Sequence, residues 1–148
     1  MKRVLNLLSG ILLNRYNEES WSISFELSYN ELPPLILELQ MVQDTLTESV
    51  ILCSTKSVES INILLSIKGE SEITQEGVRF NIILSEKDIG VVTSYLLQYY
   101  RDYCAPVSHV DIELAHQGSL GKDATLVIKA TDVNEPMTEE EARKIIGM

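Results

Sequence analysis

The sequence predicts an α+β fold: an antiparallel sheet of about five to six strands packed against one long helix, with short terminal helices. Three observations predict it. Ile61, Ile63, Leu65 and Ile67 alternate with other residues, as do Val78, Phe80, Ile82 and Leu84, and a period of two marks a half-buried strand. Ile89, Val92, Leu96 and Tyr100 recur at helical spacing behind Ser85. Strand patterns then return, so a helix intervenes only once between hairpins, which is the order of an α+β layer arrangement.

At the N-terminus, Val4, Leu7, Leu8 and Ile11 fall at i, i+3, i+4 and i+7, and predict a short amphipathic helix that packs on the core. Met1-Lys2-Arg3 followed by an apolar run has the outline of a signal peptide. However, Asn6 and Ser9 interrupt the run, and Asn14-Arg15-Tyr16 replaces a small-residue cleavage site. The run is too short to span a membrane as a helix. Trp21, Ile23, Phe25 and Leu27 alternate strictly and predict a strand.

Pro33-Pro34 breaks the pattern. Leu35, Leu37, Leu39 and Met41 beyond it fit a strand paired with the preceding one, the reading adopted here. Leu35, Leu39, Val42 and Leu46 fit a helix with proline in its first turn. Val50 to Cys53 is a short apolar run of either type. Gly69 to Gly77 is expected to be an acidic hairpin loop holding Glu70, Glu72 and Glu76.

Ser85 is a suitable N-cap, with Glu86 and Asp88 in the first turn, where the helix dipole favours negative charge. Pro106 disfavours helical geometry at Ala105, so the helix should end near Cys104. Val110, Ile112 and Leu114 predict a strand, and Leu126, Ile128 and Ala130 another, joined by the glycine-containing loop 117–123. Thr138-Glu139-Glu140-Glu141 has capping-box spacing and opens a last short helix through Ile146. No linker, low-complexity tract or fixed-period repeat appears, so residues 1–148 read as one domain.

Composition narrows the function. Twelve Lys and Arg stand against 22 Asp and Glu, a formal net charge of -10. Lys2-Arg3 and Arg143-Lys144 are the largest groups of adjacent basic residues, so a direct nucleic-acid surface is not expected. Cys53 and Cys104 lie far apart beside apolar neighbours and read as buried free thiols in a cytoplasmic protein, with a single bridge between them as the alternative.

Catalytic signatures are weak. His109, Asp111 and Glu113 project from one strand face, but a straight strand spreads its ligands, and polar residues alternating with Val110, Ile112 and Leu114 are what a half-exposed strand shows. His116 falls on the opposite face from His109. The Gly118-Ser119-Leu120-Gly121-Lys122 loop fails the Walker pattern, because His116 and Asp123 occupy positions that require Gly and Ser or Thr. No cofactor and no metal is expected.

Interaction features are stronger. Tyr95, Tyr99 and Tyr103 form an i, i+4, i+8 stripe on the long helix, and tyrosine is favoured at interfaces. Glu70, Glu72 and Glu76 form one acidic cluster, and Glu139, Glu140 and Glu141 another. These residues are the expected partner-binding set. The expected function is a non-enzymatic, acidic, protein-binding domain, with a basic protein as partner and neither membrane nor nucleic acid bound directly. Its most concrete form is an immunity-type inhibitor that neutralises a basic bacterial toxin such as a nuclease. The alternatives are a dimeric secretion chaperone and a small enzyme using His109, Asp111 and Glu113.

Overall fold

The computed structural model describes residues 3–16, 20–67, 69–116 and 123–131. Among these residues nine strands form one mixed sheet that carries two α-helices, which corrects the expected antiparallel sheet of five or six strands on one helix. The strands are β1 (Arg3–Asn6), β2 (Leu12–Arg15), β3 (Ser20–Leu27), β4 (Ser49–Cys53), β5 (Ser60–Leu65), β6 (Glu72–Glu76), β7 (Arg79–Leu84), β8 (His109–His116) and β9 (Asp123–Ala130). The helices are α1 (Leu32–Gln43) and α2 (Glu86–Asp102).

Three expectations fail locally. Residues 3–15 form no helix. β1 hydrogen-bonds to β4 instead, Leu7 and Ile11 turn into the core from the linker, and Val4 and Leu8 stay exposed. Residues 35–42 are helical, not a strand. Pro33 and Pro34 sit in the first turn, where a missing N–H leaves no helical bond unmade, and Leu32, Leu35, Leu39 and Val42 are buried while Leu37 is exposed. Much of the expected 69–77 loop is strand β6, paired with β7 through a tight turn at Gly77, whose φ of 61° is left-handed. The expected C-terminal helix lies outside the described residues, as does most of the 117–123 loop.

Strand order is β1-β4-β5-β7-β6-β8-β9-β3-β2. β1 and β2 are opposite edges, yet only residues 7–11 connect them. A flat sheet of this width would hold its edges roughly 38 Å apart. The connection spans at most about 20 Å. The sheet therefore curls, and it wraps its inner face around α1 and α2, which pack on each other. That face supplies the core: Trp21, Ile23, Phe25, Val50, Leu52, Ile61, Ile63, Phe80, Ile82, Ile112, Leu126 and Ile128 are all buried.

The order also reveals a duplication that the sequence does not announce. β2-β3-α1-β4-β5 and β6-β7-α2-β8-β9 share one plan of hairpin, helix, hairpin. Each plan joins the other by a parallel pair, β5 with β7 and β9 with β3. Equivalent positions match in burial. Ile23, Phe25 and Leu27 correspond to Phe80, Ile82 and Leu84, and Leu32, Leu35, Leu39 and Val42 to Ile89, Val92, Leu96 and Tyr99. The helix starts match in chemistry. The Glu31 carboxylate accepts from the Ser28 N–H and from the Leu8 N–H at 2.9 Å. Asp88 accepts from Ser71 Oγ, and its own N–H donates to Ser85 Oγ at 3.1 Å. In both halves the carboxylate three residues after the capping serine ties down the chain that precedes the first hairpin.

Candidate functional site

The expected tyrosine stripe does not form one surface. Tyr95 (7% exposed) and Tyr99 (0%) belong to the core. The Tyr95 hydroxyl donates to the Val107 carbonyl at 2.8 Å, and that of Tyr99 to the Leu27 carbonyl at 3.4 Å. Burial, with Tyr99 beside it, pushes the Tyr95 hydroxyl up to about 12. Tyr103 lies beyond the last helical residue in a left-handed conformation (φ 61°) and is 74% exposed. The buried face of α2 runs through Val92, Tyr95, Leu96 and Tyr99, and the expected core position Tyr100 is 44% exposed.

A different aromatic group takes the place of the stripe. Tyr29, in the single 3₁₀ turn before α1, lies between Tyr100 and Tyr103 with both ring centroids 5.2 Å away, at interplanar angles of 6° and 21°. Its hydroxyl donates to the Tyr100 carbonyl at 2.9 Å. Burial raises the Tyr29 pKa, helped by Tyr103 and then Tyr100. This ordered stack joins the end of α2 to the start of α1. Sequence reasoning missed Tyr29 and Tyr100, because Tyr29 meets α2 only through tertiary packing.

The acidic residues divide. Glu70 and Glu76 are exposed and Glu72 is half-buried in β6, while Glu139, Glu140 and Glu141 lie outside the described residues. Glu70, Asp88 and Glu113 line a depression of about 510 Å³ with Ser71 and Leu114.

The histidine–carboxylate group does not converge. His109 and Asp111 line a shallow depression with Tyr16, Ser22 and Lys129, whereas Glu113 lines the other one. His109 Nε2 lies 3.6 Å from Asp111 Oδ1, and both side chains are about half exposed. Among the described residues no group of three His, Cys, Asp or Glu side chains is placed to hold a metal. Cys53 and Cys104 are free, partly buried thiols. Cys53 contacts Asn6 Oδ1 at 3.0 Å and Cys104 the Asp102 carbonyl at 3.5 Å. No helix among the described residues is long and apolar enough to cross a membrane.

One open edge stands out. Among the described residues β6 meets β8 only at Glu72–Ala115 and Ile73–His116. Even-numbered residues of β8 face β9, as Ala130 bonding to Ser108 shows, and Ala115 bonds toward Ser71 on the other side. His109, Asp111 and Glu113 therefore present their backbone groups toward β6, where no strand partner stands beside them among the described residues. No protein-family model matches the sequence, and no curated protein matches it either.

Proposed function

We propose that this chain is a non-enzymatic, acidic, protein-binding domain, and in its most concrete form an immunity-type inhibitor of a basic bacterial toxin such as a nuclease. The observation that carries the reading is the stack of half-buried Tyr29 with the exposed rings of Tyr100 and Tyr103. Such rings offer a large, rigid contact area, and the loss of side-chain freedom on binding is small when the group is already ordered. The net charge of -10 complements a basic partner and favours fast encounter with it.

The test is affinity capture from native lysate with the full chain, beside the double variant Tyr100→Ala/Tyr103→Ala. The expected result is a basic protein retained by the native chain and lost, or weakened at least about tenfold, by the variant. Retention of the same proteins by both forms, with charge reversal of Glu139, Glu140 and Glu141 equally silent, overturns the reading.

A further inference from the structure

The open edge of β8 gains meaning from the duplication. β5–β7 and β9–β3 fix the equivalence. Ile61 pairs with Phe80 as Leu126 pairs with Ile23, and Ile63 pairs with Ile82 as Ile128 pairs with Phe25. Val50 and Leu52, opposite Ile63 and Ile61, therefore correspond to Val110 and Ile112, opposite Ile128 and Leu126. In the first half, β1 runs parallel to β4 over Val50 to Cys53. The equivalent stretch of β8 is Val110 to Glu113, the stretch without a second strand partner among the described residues. The difference follows from connectivity. The first half has an extra strand ahead of its first hairpin, whereas the second half receives its chain directly from β5.

A groove opens beside the start of that edge. About 650 Å³ in volume, it runs between the start of β8 and one stripe of α2, lined by Gly90, Val91, Tyr95, Pro106, Val107 and Val110. A Cβ built on Gly90 meets nothing within 4 Å. The partner residues also differ in a way that defines the occupant. In the first half Arg3 reaches Glu38 on α1 at 2.7 Å. The position on α2 equivalent to Glu38 is Tyr95, so the inward residue of the occupant should be apolar rather than basic. Its second inward residue lies beside Ile112, as Leu5 lies beside Leu52. Its outward residues lie beside Asp111 and Glu113, both exposed, and should be basic.

We infer that β8 accepts an extended peptide segment of another protein, added parallel to His109–Glu113 beside α2, with apolar and basic residues in alternation. Main-chain hydrogen bonds to the odd-numbered residues hold it, and its side chains read the groove on one face and the carboxylates on the other. This inference rests on the protein-binding reading and specifies the chemistry of the partner.

The probe is a synthetic peptide of about eight residues alternating isoleucine and lysine, with an isoleucine–glutamate peptide as control. Binding to the full chain is followed by fluorescence anisotropy and amide exchange. The expected result is one-to-one binding of the lysine peptide only, with slowed exchange at His109, Asp111 and Glu113. Gly90→Leu, whose Cβ enters open space and whose side chain projects toward the groove, should weaken binding at least about tenfold without lowering Tm. Asp111→Lys/Glu113→Lys, on an exposed face, should weaken it similarly. Equal binding by Gly90→Leu, equal binding of the control peptide, or no binding overturns the inference. So does slow exchange of those three amides in the free protein, which shows the edge already filled, or a homodimer that Gly90→Leu dissolves. If Gly90→Leu still captures the basic partner while the tyrosine variant does not, the β8 site fails and the protein-binding reading stands.

Discussion

Thr45 holds a left-handed backbone, with φ at 59°, directly after α1. The reason lies in the helix end. The Thr45 N–H bonds to the Val42 carbonyl at 3.1 Å, and the Leu46 N–H to that of Met41 at 2.9 Å. These are the two bonds of a Schellman motif, whose left-handed position favours glycine. A β-branched residue there crowds its own carbonyl, at about 1–2 kcal/mol. Thr45 is exposed, so burial offsets little of this. Thr45→Gly is therefore expected to stabilise the protein by about 1 kcal/mol, after the greater freedom of glycine in the unfolded chain is subtracted. Urea denaturation checks it, and an unchanged or lower midpoint contradicts the strain argument. Tyr103 holds the same conformation, but its ring stacks on Tyr29, so glycine there removes a contact while it relieves strain.

Among the elements, α2 carries a pH dependence of its own. The Tyr95 hydroxyl is pushed up to about 12 by burial and by Tyr99. An unfolded tyrosine titrates near 10. Below pH of about 10 both states keep the proton, and the contribution is fully present. Between about 10 and about 12 the unfolded chain releases it while the folded chain holds it, so stability falls as pH rises. Tyr95→Phe should reduce the slope of stability against pH over that window, as read by denaturation at stepped pH with tyrosinate absorbance alongside. An unchanged slope assigns the effect to other groups. The same helix shows what a sequence reveals. Its serine cap, its acidic first turn and the apolar positions Ile89, Val92 and Leu96 were legible, because those signals are local. The strands β5, β7, β8 and β9 were legible for the same reason. α1 was misread as a strand, because Leu35 and Leu39 satisfy both periods and only packing exposes Leu37. β1 was hidden, because its hydrogen bonds come from β4, far along the chain. The candidate sites were less legible still. The tyrosine stack needs Tyr29 brought to α2, and the β8 edge is set by where β6 begins beside it.

The two halves are built so that neither closes alone. β5 ends on β7 and β9 on β3, so each hairpin–helix–hairpin unit finds its neighbouring strands in the other. Identity between equivalent positions is confined to a few, such as Leu27 with Leu84, Ser28 with Ser85 and Leu39 with Leu96, which is why no repeat is visible in the sequence. The pattern of burial is what persists. Unfolding one half would strip strand partners from the edges of the other and expose the contact between α1 and α2. Trp21 of β3 also packs on Phe80 of β7 with ring centroids 5.8 Å apart, so the sole tryptophan reports on both halves. The expected behaviour is one cooperative transition. Trp21 fluorescence and far-ultraviolet circular dichroism should change together, and the calorimetric and van't Hoff enthalpies should agree. A fluorescence transition that precedes the loss of secondary structure would mean that the halves separate before they unfold. The parallel pairs between them would then be weaker than the core that they enclose.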